Sequence, residues 1–447
     1  MQGVGRVSDA VQNSTGPWRG IGFWDHATTC AAGPRELAVS SADKAVLRKL
    51  ATRVAELAAR PGERGKAELW YRHNALEGTR PLILADPENG WNEIITESEV
   101  ECRGTLARRW EVVLRKELFW AEAIRDDRPV EDCFWIGYTF DDDGWGVTRT
   151  IKGGREGGAY AWDPVVRDER DLESLHFPHI VVDHESSGRA IAVAEEVFSG
   201  LLKVRRRAVW WWGMGMTFDL ARLLGLEGLL VLLYDNPNLI RKAMQFLMDG
   251  NRRRLEELEA GGLLSPNNDS SYVGSGGIGY SRELRTGLSD DQTVRVCDLW
   301  GHSESQETGS ISPEMFEEFI FPYQLEIIKR FGLACYGCCE ALERRWHIVR
   351  RIPNLRRVSV SAWSDTGRMA ENLGDRYICS LKPNPARLAV SVIDRDLLKS
   401  DMITSLRQTR GCKVEVIMKD NHTLGGNPEN IVSWVQLTRE AIEKVYG

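Results

Sequence analysis

From residue 132 to the C-terminus, short apolar runs alternate with helix-length segments, and this rhythm constrains the fold of the 447-residue chain more than any other feature. Strand-length runs fall at residues 133–140, 208–212, 263–264, 294–300, 333–336, 357–361, 377–381 and 414–418. Between most of them lie segments with helical periodicity, at 189–202, 217–233, 237–260, 312–330, 340–351, 366–374, 393–409 and 428–445. Strands alternating with helices in this way imply an α/β fold with a parallel sheet, and a (β/α)8 TIM barrel accounts for the count. An open doubly wound sheet is the alternative. The run at 263–264 and the segment 178–182, strand or insertion, fit the rhythm least well.

Before the repeat the pattern is different. Residues 1–40 are rich in Gly, Ser, Thr and Ala without periodicity, and are expected to form a flexible arm. Residues 41–60 place Val46, Leu50, Val54 and Leu57 on one helical face, and Pro61-Gly62 stops that helix. A short strand is expected at 80–85, then a long helix over 103–126 with Trp110, Val113, Leu114, Leu118 and Phe119 on one side. The expected division is an arm at 1–40, an N-terminal helical layer at 41–130 packed on the barrel, and a barrel domain at 131–447.

Composition narrows the function classes. A net charge of −7, with acidic and basic residues interspersed, leaves no nucleic-acid footprint. No uncharged apolar run reaches spanning length, and no signal-like apolar core follows a basic region at the N-terminus. Nine cysteines, an odd number without a framework, point to a reducing compartment. A soluble cytoplasmic protein that binds neither nucleic acid nor membrane is expected.

The stretch with the most chemistry is Gly332-Leu-Ala-Cys-Tyr-Gly-Cys-Cys-Glu340, an apolar run that stops at a glycine and then presents two thiols and a carboxylate. It reads as a strand emerging into a loop before a helix, which in a parallel α/β fold is the carboxyl edge where ligands bind. Soft thiolates beside a hard carboxylate suggest zinc. Adjacent side chains diverge, so one thiol faces the site, and Cys338 is preferred. Cys335, inside the strand, reads as a small hydrophobe. The cluster Gly274-Ser-Gly-Gly-Ile-Gly279 matches no phosphate-loop pattern and reads as a mobile loop near the site. Ser312-Pro-Glu reads as an ordinary helix start.

Taken together, Ser312-Pro-Glu-Met-Phe, Pro322, Tyr336-Gly-Cys-Cys-Glu340, Val358-Ser-Val-Ser361, Leu373-Gly-Asp375 and Ser380-Leu-Lys-Pro-Asn-Pro385 resemble the uroporphyrinogen decarboxylase superfamily. Within it the likeness is to the cobamide-dependent methyltransferase branch that includes the methanol- and methylamine:coenzyme M methyltransferases, over about residues 200–447. The resemblance implies a TIM barrel with its active site at the carboxyl mouth. Two departures matter. Arg80-Pro-Leu-Ile-Leu-Ala-Asp-Pro-Glu-Asn-Gly-Trp91 stands where the decarboxylases carry an Arg-rich motif ending in Gln-Ala-Gly-Arg, which argues against porphyrin decarboxylation. The methyltransferases bind zinc through His-x-Cys and a later Cys; here Tyr336 occupies the His position, Cys338 the first Cys, and the later Cys has no counterpart in Lys419-Asp-Asn-His-Thr-Leu-Gly-Gly-Asn-Pro428.

That last segment follows the final strand and offers substitutes. Cys338, Glu340 and His422 are the expected Zn2+ ligands, three donors with an open fourth position, and Asp420 is an orienting group or general base. Lys419 with Asp420 also reads as a purely structural salt bridge. Asp420-Asn-His-Thr-Leu-Gly425 matches a cobalamin-domain pattern, but too few residues follow for that domain, so any corrinoid is assigned to a separate partner protein. Tyr336 and Asp365 are further catalytic candidates at strand ends. Trp210, Trp212, Trp363 and His302 are candidates for binding substrate, with core packing the competing role for the Trp-Trp-Trp run at 210–212. The expected activity is metal-assisted transfer of a methyl group between a small methylated substrate and a corrinoid protein or thiol. A metal-independent decarboxylase or lyase, and a non-catalytic barrel that binds a partner, are the alternatives.

Overall fold

Six parallel strands form one sheet in the order Leu82–Ala85, Lys413–Met418, Ile378–Leu381, Leu355–Val360, Leu333–Tyr336 and Trp300–Ser303, so that the first strand among the described residues lies beside the last. A computed structural model describes residues 37–147, 151–153, 160–208, 210–211, 213–285 and 293–447. The strands, in chain order, are β1 (Leu82–Ala85), β2 (Cys133–Ile136), β3 (Phe140–Asp142), β4 (Ile151–Gly153), β5 (Tyr160–Trp162), β6 (Ile180–Val182), β7 (Lys203–Arg206), β8 (Trp300–Ser303), β9 (Leu333–Tyr336), β10 (Leu355–Val360), β11 (Ile378–Leu381) and β12 (Lys413–Met418). Every residue of β1, β8, β9 and β11 is buried, as both faces of a helix-covered parallel sheet require. Helices Pro313–Phe319, Phe321–Ile328, Thr366–Leu373 and Arg395–Gln408 lie between these strands in sequence, and Glu429–Tyr446 follows the last of them.

Strands β2 and β7 form a separate parallel pair, and β3–β6 and β4–β5 are short antiparallel pairs. Among the described residues no strand ladder joins the β2–β7 pair to the main sheet. Instead, side chains and loops satisfy the sheet edges. On β1, the Ile83 N–H donates to Asp127 Oδ2 at 2.8 Å and the Ala85 N–H to Asp126 Oδ2 at 2.7 Å. On β8, the Asn267 amide accepts from the Trp300 N–H at 2.9 Å and donates to the Trp300 carbonyl at 3.0 Å, while the Met214 N–H donates to the His302 carbonyl at 2.7 Å. An edge met this way offers few backbone groups to recruit another strand.

Several expected elements are displaced. The strand expected at 80–85 exists, but it belongs to the main sheet, with Leu82 opposite Glu415, rather than to a layer outside it. The strand expected at 208–212 is β7, five residues earlier. The chain then leaves the ladder, with Trp210 anchored through its indole N–H to the Leu263 carbonyl at 2.9 Å; Val209 and Trp212 lie outside the described residues. Residues 263–264 form no strand, and 294–300 is a short 3-10 turn, Val296–Asp298, leading into β8. The helix expected at 340–351 is reduced to Trp346–Val349. The arm expected at 1–40 falls almost wholly outside the described residues.

Three hydrophobic clusters organise the interior. The largest surrounds the sheet; the second joins helices Ser41–Ala58, Thr105–Phe119 and His184–Phe198 to β2 through Leu50, Val54, Trp110, Phe134 and Phe198; a small third packs Val273 and Leu284 on Trp300, Leu333 and Cys335. The loop 274–279, expected to be mobile, is instead packed against the sheet, on Cys335, Ile417 and Glu415. A Cβ on Gly276 would meet Ile417 Cγ2 at 2.6 Å, so only a chain without side chains approaches so closely. Among the described residues no helix is long and apolar enough to cross a membrane.

Candidate functional site at the carboxyl edge of the sheet

Just past β9 stands Gly337, whose φ of +92° turns the chain sharply across the strand ends. Its N–H donates to the Ser303 carbonyl at 2.9 Å, and His302 Nε2 lies 3.2 Å from its carbonyl oxygen, tying the ends of β8 and β9 together. Glu340 completes that tie. Its Oε1 accepts from the Ser305 N–H and its Oε2 from the Cys338 N–H, both at 2.8 Å. This buried carboxylate thereby serves two backbone donors from two strand ends, which also explains why residues 340–345 do not wind into a helix.

Cys338 is buried, with Sγ 3.1 Å from Ser275 Oγ and 3.5 Å from Cys339 Sγ. The hydrogen bond to Cys339, burial and the Glu340 charge push its thiol well above the usual range, against the pull of Lys419. Cys339 is half-buried, with Sγ 3.8 Å from Asp420 Oδ2. The Ser359 hydroxyl, at the end of β10, donates to the Cys338 carbonyl at 3.1 Å.

Strand β12 contributes Lys419, whose Nζ donates to Asp420 Oδ1 at 2.8 Å and Ser275 Oγ at 3.4 Å and lies 3.6 Å from Glu88 Oε1. Burial disfavours its charge, but Glu88, Cys338, Tyr272 and Asp420 outweigh that and raise its pKa well above the ordinary lysine value. Glu88, just past β1, is pushed up to about 7 by crowding and desolvation, with Lys419 opposing and Asp420 and Asp86 adding to the rise. Glu304, buried past β8, is raised well above the usual carboxylate range by burial and by Glu307, Glu340 and Cys338. Glu88 and Asp420 both adopt positive φ, +47° and +60°, a conformation that costs free energy in residues other than glycine and gathers at functional sites. Acids and bases with displaced pKa values thus meet where β1, β8, β9 and β12 end, which is the pattern of a reacting site.

The expected site residues are distributed as follows. Cys338, Glu340 and Asp420 stand at this edge. His422 is exposed, its Nδ1 3.5 Å from Asn89 Nδ2. Among the described residues no group of three or more His, Cys, Asp or Glu side chains is arranged to hold a metal ion, and both Glu340 oxygens are engaged by backbone donors. The three expected zinc ligands do not fit that ion in this arrangement. Tyr336 is buried with its hydroxyl donating to Gln324 Oε1 at 2.7 Å, away from the thiols. Asp365 caps the helix Thr366–Leu373 by accepting from the Arg368 N–H at 3.0 Å, and Trp363 is 71 % exposed. Sequence reasoning missed Glu88, Ser275, Glu304, Ser359 and Lys382. Four of them stood in stretches the sequence singled out without being chosen themselves: Lys382 in Ser380-Leu-Lys-Pro, Ser359 in Val358-Ser-Val-Ser361, Ser275 in the glycine cluster at 274–279, and Glu304 in the strand-end loop 302–307.

Trp210 and His302 line a different feature, a cavity of about 150 Å³ between the β2–β7 pair and the main sheet. Phe134, Trp135, Trp211 and Trp300 bring aromatic faces to its wall, and Arg207 and Glu131 supply charge. The Arg207 guanidinium lies 3.5 Å from the centre of the Trp135 ring and 2.9 Å from Asp269 Oδ2. Neither Cys338 nor Lys419 lines it.

Neither a family model nor a curated protein matches the sequence. Among solved structures, a methyltransferase from Methanosarcina mazei aligns over 86 % of this chain and 99 % of its own, with 10 % identity and a TM-score of 0.48, too remote a likeness to carry an activity to this chain.

Proposed function

We propose that the chain is an enzyme that removes a methyl group from a small methylated compound at the carboxyl edge of its sheet. The observation that carries this is the convergence of Glu88, a carboxyl that titrates near neutrality, with the fixed ammonium of Lys419 and the thiol of Cys338. The methyl branch of the reading comes from the motif resemblance between residues 312 and 385. On this reading the bond between the methyl carbon and its heteroatom breaks, and the electron pair stays on the heteroatom. Glu88 supplies a proton there, and Lys419, oriented by Asp420, compensates the charge that develops. The methyl acceptor is a corrinoid carried on a separate protein. We further read β1, β2, β7 and β8 to β12 as one incomplete (β/α)8 barrel, with residues 41–130 as a layer that also supplies its first strand. Because the expected zinc ligands do not fit, no step runs through a metal.

The test is methyl transfer from a panel of methylated amines and methoxylated compounds to reduced cobalamin, followed by its visible spectrum. Activity with one donor class, lowered at least about 100-fold in Glu88→Gln and Lys419→Met without loss of the folded spectrum, is expected. No transfer with any donor, or transfer indifferent to both substitutions, overturns the reading. The second reading, a metal-independent lyase, is favoured by a pair of buried lysines, Lys382 and Lys419, at neighbouring strand ends.

A further inference from the structure

Lys382 stands one residue past β11 and is buried, and the reaction proposed above does not use it. Its Nζ donates to the hydroxyl oxygens of Ser359 and Ser380, the latter at 3.3 Å. No carboxylate among the described residues forms a salt bridge with it. Ser359 is already committed as a donor to the Cys338 carbonyl at 3.1 Å, and Ser380 faces the Glu415 carboxylate, whose pKa it helps to lower. They therefore offer Lys382 only lone pairs, and they offer two.

That number decides the protonation state the site accommodates. A neutral amine has two N–H donors, which the two serines absorb, and a lone pair that must point away from both. An ammonium has a third N–H, which finds no acceptor among the described residues, and burying an unpaired charge is costly. The charged groups that act on it agree. Burial and the fixed positive charge of Lys419 outweigh the opposing pull of Cys338, Glu415 and Asp420, and the Lys382 pKa falls to about 8. Lys419 differs because Asp420 and Glu88 keep it charged. Two lysines at adjacent strand ends are thus divided into a permanent cation and an amine that gives up its proton near pH 8, the arrangement that activates lysine as a nucleophile. The same edge reaches solvent at Cys339 and Asp420.

We propose that Lys382 is a carbonyl-capturing amine that forms an imine with a small aldehyde or ketone. The Nζ lone pair attacks the carbonyl carbon, an N–C bond forms, and the π pair moves to oxygen, which takes a proton. The carbinolamine then loses that oxygen as water, carrying off both amine hydrogens in net, and a C=N bond remains. No oxidant, metal or further co-reactant is needed. The inference goes beyond the methyl-transfer reading and does not depend on it.

The experiment uses the full chain without any methyl donor. The protein is incubated at pH 7.5 with pyruvate or glycolaldehyde, the imine is trapped with borohydride, and adducts are located by peptide mass mapping. One reduced adduct per chain, on Lys382, formed at least about tenfold faster than on any other lysine, is the expected result; at that pH the free-amine fraction of a group titrating near 8 exceeds that of an ordinary lysine by about 200-fold, which leaves room for restricted access. The rate at Lys382 should rise through about pH 8, and Lys382→Arg should lose the adduct. Adducts spread over exposed lysines, or none at Lys382 with either probe, overturn the proposal. Because the site is mapped in the unsubstituted protein, the outcome stands even if Lys382→Arg fails to fold. A negative result here leaves the cobalamin assay untouched, and the reverse also holds.

Discussion

Arg357 and Glu415 meet in the interior with Arg357 Nε 2.9 Å from Glu415 Oε1, although β11 lies between the strands that carry them. His73 Nε2, from the helix Pro61–Asn74, is 3.3 Å from the other oxygen, and Asn74 Oδ1 accepts from Arg357 Nη2 at 2.7 Å. The group links β10, β12 and the N-terminal helices through buried polar bonds. Arg357→Met should cost about 3–5 kcal/mol, because Glu415 would be left buried without its charge partner. Urea denaturation checks this, and a loss under 1 kcal/mol would show that the pair is dispensable.

The same pair sets an acid limb of stability. Burial opposes the Glu415 charge, but Arg357 and His73 outweigh it and bring the carboxyl down to about 2. A carboxylate lowered on folding contributes stability that is complete above its ordinary value near 4.5 and lost as pH falls from there toward 2. Melting temperature should therefore drop across that window, and drop less in the double variant Arg357→Met with Glu415→Leu. An unchanged acid limb in the double variant would place the cause elsewhere.

Glu340 is predicted to act as a tie between strand ends. Glu340→Ala should destabilise the protein by about 2–4 kcal/mol through two unsatisfied backbone donors, whereas His422→Ala, at an exposed position, should change stability by no more than about 0.5 kcal/mol. Equal effects of the two substitutions in thermal melts would contradict this assignment.

Gly277 lies under the same ion pair. With φ at +83°, a Cβ there would meet Glu415 Oε1 at 2.6 Å and Arg357 Nε at 2.8 Å. Gly277→Ala should cost about 2–4 kcal/mol from strain and overpacking together, measurable by the same denaturation.

Alkylation distinguishes the two adjacent thiols. Cys339 is half-buried while Cys338 is buried and raised, so iodoacetamide at pH 8 should modify Cys339 at least about tenfold faster than Cys338. Mass mapping over time gives the ratio, and faster reaction at Cys338 would mean that the thiol is far more open than its contacts with Ser275 and Cys339 allow.

Turnover under the proposed reaction should fall as pH rises through about 7, because Glu88 donates a proton only while protonated. Glu88→Gln should abolish that limb, and a rate that is flat from pH 6 to 8 in the unsubstituted enzyme would remove Glu88 from the role.

Local patterns in the sequence determined a good deal by themselves. Strand Leu333–Tyr336 and helix Pro237–Ala260 lie where periodicity puts them, since apolar spacing and a proline at a helix start act within a few residues. The same local logic located Cys338 and Asp420 at strand ends. Only the tertiary structure decided which groups share that edge. The pairing of Leu82 with Glu415 joins residues from opposite ends of the chain and brings Glu88 to Lys419, and no periodicity encodes it. Whether Glu340 serves a metal or two backbone N–H groups depends on where Ser305 lies, a contact 35 residues away in sequence. The protonation of Lys382 is likewise set by burial and by Lys419 on the next strand, because desolvation and charge act through space and are blind to order along the chain.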